Sequence, residues 1–468
     1  MIEPLYQPSP SRYENGMIFR RAGRSGVQLP ALSLGMWHNF GSEQTFSKVQ
    51  EMAHYAFDHG IVHFDLANNY GPAYGTAEEN FGRLMERSFR PYRDEMFIAT
   101  KAGYDMWPGP YGNWGSRKYL MASLDQSLRR MKLDYADVFY SHRYDPETPL
   151  EETLQALVDI VRSGKALYAG LSRYPLAAER FAFRYLAERD VPCLLFQDKY
   201  NIFNREPATS GVLSLAAESG AGFAAFSPLA QGLLTGRYLN GIPQDSRMAE
   251  GRSLRRDVLT DAMLTRIRGL DDLARQRGQT LAEMALAWLL HDSRVTTVII
   301  GASSTAQIAD NLRALENTAF SDEELARIDA LSREWPRHGK ERSAFIGKRT
   351  FSRYDGRITF RVSARCRKHI RSPFRGHGSV RSPPASAWPC GPPPDCAPAL
   401  PGSRGCARPP QRSNSASSNA AAARNAPTER IRPFRGCVPW PQGCRCPGNS
   451  PGCTPSPATA RARATSTR

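Results

Sequence analysis

Two kinds of apolar stretch take turns along residues 17–335. Short runs rich in Val, Ile, Phe and Tyr read as buried strands: LSLGMW (32–37), IVHFDLA (61–67), MFIAT (96–100), YADVFYSH (135–142), ALYAGLS (166–172), CLLFQ (193–197), GFAAFSP (222–228) and TTVIIGAS (296–303). Between them, apolar residues recur every three or four positions, as in helices with one buried face. Ser47–His59, Lys118–Met131, Leu150–Ser163, Ala177–Ala187, Asp261–Arg277 and Thr280–His291 show this, and Thr305–Glu316 and Asp322–Arg333 follow the last strand. Thr305 and the SDEE segment (321–324) are the expected N-caps of those two helices. Residues 17–30 read as a hairpin, MIFRRAG and VQLPAL flanking a turn around Arg24–Gly26, placed to plug the bottom of a barrel.

Eight strands alternating with helices imply a parallel sheet with right-handed crossovers. No Gly-rich dinucleotide turn follows the first strand, so a barrel fits better than an open doubly wound sheet. The expected fold class is α/β, a (β/α)8 TIM barrel with an N-terminal β-hairpin. The long Gly/Arg-rich loop at Leu233–Asp257 is of a length that usually carries function or mobility.

Composition divides the chain. Residues 341–468 hold 23 Lys and Arg against 4 Asp and Glu, a net of +19, while the remainder holds 39 against 41, a net of −2. The overall +17 therefore says nothing about partners of the folded part, and a nucleic acid is not expected as one. The tail also holds 19 of the 35 prolines and eight of the nine cysteines, with no apolar periodicity. Such a segment buries too little surface to offset its chain entropy, so it is expected to be disordered. Its CGPPPDC (390–396) and GCVPWPQGCRCPG (436–448) match no zinc-ligand spacing, and no metal is expected. An Arg/Pro/Ala/Ser/Cys mixture is what a GC-rich gene gives when read out of frame, and a frameshift or fusion origin fits it. The expected division is an extension at 1–16, a barrel at 17–340 and the tail at 341–468.

Cys193, in an apolar run, is the one cysteine before the tail, which suits a reducing cytoplasm. The first residues show no signal peptide, and no run is apolar enough to span a membrane.

Three consecutive strands deliver polar groups at their C-terminal ends: Asp65 and Tyr70 in IVHFDLANNYG (61–71), Lys101 in MFIATKAG (96–103) and His142 in YADVFYSHRYDP (135–146). That end of a barrel is where its chemistry occurs. Singly, each residue has an ordinary structural reading; together they form a constellation. Reducing a carbonyl needs a hydride donor and a proton for the oxygen. A phenol is a poor acid, and a nearby ammonium favours its phenolate. Tyr70 is therefore the expected proton donor, Lys101 its activator, Asp65 the holder of Lys101, and His142 a hydrogen-bond donor to the substrate oxygen.

An Asp, Tyr, Lys and His so placed resemble the catalytic tetrad of the aldo-keto reductases, and the resemblance runs from about residue 17 to 335. It implies a nicotinamide site on the second half of the barrel. Ser172 and Gln197 match the residues that bind the nicotinamide amide. Arg173, where most members have Asn, is shared with the subgroup containing potassium-channel β subunits and glyceraldehyde-3-phosphate reductases. Phe226 matches the stacking ring, and Ser227, Leu229 and Gln231 the pyrophosphate clamp. Arg237 and Arg247 match contacts to the adenosine 2′-phosphate, whose dianion suits a guanidinium. Gly301, Ser303, Gln307, Asp310 and Asn311, in IIGASSTAQIADN (299–311), match the adenosine signature at a helix N-terminus.

NADPH is thus the implied cofactor. Trp37, Trp107, Tyr111 and Trp114 are expected to line an aromatic substrate pocket, with Tyr70, Lys101, His142 and Arg143 offering donors; Trp37 and Asp65 also border the cofactor. The resemblance implies small aldehyde substrates, such as L-glyceraldehyde 3-phosphate and methylglyoxal, and a homo-oligomer. The alternative is a slow-turnover, redox-sensing partner like the channel β subunits.

Overall fold

The structure, a computed structural model, describes residues 6–332 apart from 245, 252, 253 and 255. The expected disorder of residues 341–468 lies outside the described residues, as does the side chain of Arg247.

β1 (Phe19–Arg21) and β2 (Gln28–Pro30) form the antiparallel hairpin, with Phe19 opposite Pro30. Eight parallel strands then close a barrel: β3 (Leu32–Gly35), β4 (His63–Asp65), β5 (Phe97–Ala102), β6 (Ala136–Ser141), β7 (Ala166–Ser172), β8 (Cys193–Lys199), β9 (Gly222–Phe226) and β10 (Val295–Ile300). β10 pairs with β3 through Val298 and Leu32, which completes the ring. The outer helices are α1 (Phe46–Asp58), α2 (Thr76–Leu84), α3 (Arg117–Met131), α4 (Leu150–Arg162), α5 (Leu176–Ala187), α6 (Glu206–Ser210), α7 (Val212–Ser219), α8 (Arg247–Glu250), α9 (Asp261–Gln276), α10 (Leu281–His291), α11 (Thr305–Leu312) and α12 (Asp322–Ser332).

The hairpin seats on the barrel floor. Arg20 donates to Val295 O and Leu290 O, both at 2.6 Å. Gly23 has φ +55°, and a Cβ there would lie 2.0 Å from Gly220 O, so only glycine lets the turn settle this close. Ala22 and Leu29 extend a buried cluster with Phe97, Ala99, Val138, Tyr140 and Leu195. Successive strand residues face opposite ways, so Phe97, Ala99 and Lys101 share one face of β5, and Val138, Tyr140 and His142 one face along β6. The alternation that fills the lower barrel therefore also carries the polar groups at its upper end.

The expected elements differ from the observed ones in detail. The first two strands are shorter: their paired ladders end at Gly35 and Asp65, although Leu66 N and Asn68 N still donate to Ala99 O and Lys101 O of β5. Ser304, not Thr305, caps α11, accepting from Gln307 N; Thr305 is its first helical residue. Ser321 and Glu324 cap α12 reciprocally, backbone to side chain in both directions. The loop at Leu233–Asp257 contains α8 and is pinned by buried Met248 and Leu254.

Candidate active site

Asp65 ends β4, Lys101 lies near the end of β5, and His142 follows β6 directly; all three side chains are buried. Lys101 Nζ donates to Asp65 Oδ2 at 2.8 Å and to Leu66 O at 2.5 Å. The second oxygen of Asp65 accepts from Gln197 Nε2 at 3.0 Å, across the barrel from β8. Burial lowers the Lys101 pKa, and Asp65 opposes that shift.

Tyr70 lies in the loop after β4, half-buried, with Lys101 Nζ 4.8 Å from its ring centroid. Its phenol is pushed well above 10, first by burial and then by Asp65 and Tyr104. The Lys101 ammonium is itself engaged by Asp65 and by Leu66 O. His142 meets the Tyr70 ring edge-on at 5.8 Å. Its pKa falls well below 6.5, through burial and then Lys101 and Arg143, so the imidazole is neutral. Nδ1 of His142 is buried without a partner.

The rim is aromatic. Trp37 stacks on Tyr70 at 5.9 Å and is 50% exposed, and Tyr111 and Trp114 are 54% and 40% exposed. Trp107 packs on Tyr119 at 5.0 Å and so joins the core from one side. Arg143 is the substrate candidate whose surroundings differ most from expectation. Its Nε donates to Gly103 O and its Nη2 to Asn113 Oδ1, at 2.8 and 2.9 Å, and its guanidinium lies over Tyr104 and Trp114.

The other half of the mouth comes from β7 to β10. Ser172 stands in register with Gln197; both are buried, and Ser172 Oγ has no hydrogen-bond partner. Arg173 follows at φ +54° with an exposed side chain, its N–H donating to Gln197 O. Half-buried Phe226 ends β9 opposite Ile299 of β10. The chain then turns through Ser227, Leu229 and Gln231; Ser227, Ala230, Gln231 and Gly232 all have positive φ. Runs of this kind aim backbone groups into a concavity, and the Gln231 Oε1 is buried without a partner. After β10, exposed Gly301 leads to Ser303, whose N and Oγ both donate to Gln307 Oε1; Asp310 pairs with Arg313, and Asn311 is buried. Arg237 is exposed, whereas Arg247 contributes only its place at the start of α8.

The tetrad candidates thus come together, and the second half offers what an amide-bearing aromatic ring needs: an unsatisfied buried hydroxyl beside a carboxamide, with an aromatic at the next strand end. Among the described residues no cluster of three His, Cys, Asp or Glu could hold a metal, and no helix is long and apolar enough to cross a membrane. Sequence reasoning missed Asn113 and Tyr104, which hold Arg143. Their polar and aromatic types inside a Gly/Pro-rich loop were the available signal.

The family model for the aldo/keto reductase family matches residues 31–333. The chain belongs to the aldo/keto reductase family. It is 56% identical over 329 residues to an Escherichia coli K12 protein named L-glyceraldehyde 3-phosphate reductase, covering 69% of this chain and 95% of that one. It is 36% identical over 307 residues to a probable voltage-gated potassium channel subunit beta of Arabidopsis thaliana, covering 64% and 92%. A rice protein of the same name is 34% identical over 328 residues, covering 69% and 98%. This aldo/keto reductase is accordingly an oxidoreductase acting on aldehydes, in a family that uses nicotinamide cofactors.

Proposed function

We propose that the protein reduces small aldehydes with NADPH, Tyr70 giving the proton, and that L-glyceraldehyde 3-phosphate and methylglyoxal are among its substrates. The observation that carries this is the convergence of Asp65, Tyr70, Lys101 and His142 at one barrel mouth, opposite the Ser172–Gln197 pair. The 56% identity to a protein named for L-glyceraldehyde 3-phosphate reduction supports the substrate class.

Ser172 and Gln197 would hold the carboxamide, Phe226 the ring face, and Ser227, Leu229 and Gln231 the pyrophosphate; Gly301 to Asn311 and Arg237 would take the adenosine end. When bound, the reduced nicotinamide supplies a hydride. His142, neutral, donates a hydrogen bond to the aldehyde oxygen and orients it. Tyr70 keeps its proton while the oxygen is uncharged. As negative charge grows on that oxygen, the phenol transfers its proton and an alcohol forms. Lys101, held by Asp65, then faces the new phenolate, and its charge stabilises what burial alone would disfavour.

The test is cofactor oxidation followed at 25 °C with both aldehydes. NADPH should outperform NADH, and Arg237→Ala should narrow that gap, since a charged hydrogen bond is worth about 1.5–3 kcal/mol. Absence of aldehyde-dependent oxidation in the presence of stable cofactor binding would refute the reading and favour a binding partner of the channel-subunit kind.

A further inference from the structure

We propose that Arg143 is a positioning residue: it clasps the loop at 103–115 over the barrel mouth and sets His142 through Tyr104, rather than binding a substrate phosphate. The proposal rests on the reductase reading only for the place of the pocket.

Arg143 leaves the end of β6 directly after His142, and the loop it meets leaves the neighbouring β5. Its planar cation lies over two rings and donates two hydrogen bonds. One face carries Tyr104 with the cation 4.2 Å from the ring centroid, and Trp114 lies 3.7 Å away. Two N–H groups reach Gly103 O at the start of the loop and Asn113 Oδ1 near its end. One side chain thus ties together positions ten residues apart in sequence, and the segment between them becomes a closed flap.

The flap is braced inside as well. Met106 N donates to Gly112 O at 2.9 Å, and Asn113 Nδ2 bonds Asp105. A Cβ on Gly112 would lie 1.8 Å from Trp107 O, so the fold of the tip depends on that glycine. Gly115 N donates to Asp145 Oδ2 at 2.9 Å, a second tie to the segment after β6. Tyr104, pressed by the guanidinium, sits edge-on to His142 at 4.7 Å. The same contact that shuts the flap therefore fixes the imidazole.

A lysine cannot replace this arrangement, because it has one compact ammonium and no planar face. A phosphate site, by contrast, would retain much of its attraction with lysine. The experiment uses the full chain with Arg143→Lys, Arg143→Met and Asn113→Ala. KM and kcat are measured for L-glyceraldehyde 3-phosphate and for uncharged methylglyoxal, and amide hydrogen exchange is read for residues 103–115 without substrate. The clasp requires KM to rise for both aldehydes together, by roughly tenfold for the Arg143 variants, with kcat falling less. Lysine should do no better than methionine, and exchange in the loop should speed up. Asn113→Ala, which leaves Arg143 in place, should give a smaller change of the same pattern; it decides the matter if the Arg143 variants do not fold. A loss confined to the phosphorylated aldehyde, or unchanged loop exchange, overturns the proposal. If neither aldehyde is reduced by the unmodified protein, the function reading fails while the exchange result still judges the clasp.

Discussion

Gln197 donates to one oxygen of Asp65 while Lys101 holds the other, so a single buried carboxylate joins β8 to β5 through the barrel interior. The amide proposed to hold the nicotinamide and the ammonium proposed to serve Tyr70 therefore share one anchor. A change at either partner alters the field at the other, because all three side chains are buried from solvent that would screen it.

Asp65→Asn removes the charge facing a lysine with no exposed surface. Breaking a buried pair in this way costs about 3–5 kcal/mol, because the remaining charge is left uncompensated. Denaturant titration should show a large loss of stability. Adding Lys101→Met should recover most of it, and a double variant no better than the single one would contradict the pairing argument.

Tyr70→Phe keeps the ring against Trp37 and removes the proton. Reduction should fall by roughly 10²–10⁴, the usual contribution of a general acid. Fluorescence titration should give nearly unchanged NADPH affinity. Near-normal turnover in this variant would remove Tyr70 from the mechanism.

Glu179, in the first turns of α5, is fully buried and neither carboxylate oxygen has a partner. Burial first, then Asp198, raises its pKa from 4.5 to about 9, with Arg180 opposing; the Cys193 thiol also lies within its field. The folded protein keeps this proton when the unfolded chain has released it. Stability is therefore full below about pH 4.5 and falls as the pH rises towards 9. The slope from this one group is at most roughly 1.4 kcal/mol per pH unit. Glu179→Gln should flatten the decline of melting temperature between pH 6 and 9. An unchanged slope would show that Glu179 is ionised in the fold.

Deleting residues 341–468 should leave melting temperature and reductase activity nearly unchanged. The barrel closes between β10 and β3, and α12 ends at Ser332. Removing eight cysteines and a net +19 should also improve solubility. A marked drop in melting temperature would show that the tail contributes to the fold.

Much of this was legible in the chain because barrel strands are short, apolar and bounded by polar residues with chemistry to perform. Asp65, Lys101 and His142 stand out since nothing in a buried strand favours them. Strand ends were less legible: the apolar run at 61–67 outlasts its pairing, which neighbouring strands decide. The N-cap at Ser304 rather than Thr305 turns on one backbone torsion that adjacent hydroxyl residues do not distinguish. Residue types give the sign of a neighbour's charge but not the depth of burial, which is what raises the Tyr70 phenol. Arg143 has the right chemistry for a phosphate; only three dimensions reveal how fully its hydrogen bonds and ring faces are occupied by Gly103, Tyr104, Asn113 and Trp114.

The hairpin seated on the floor has a consequence for traffic. Ala22 and Leu29 pack beneath Phe97, Ala99, Val138 and Tyr140, and so the described residues stopper the barrel's lower end. Whatever reaches Asp65 and His142 therefore comes from the strands' C-terminal end, where Trp37, Tyr111 and Trp114 are exposed on one side.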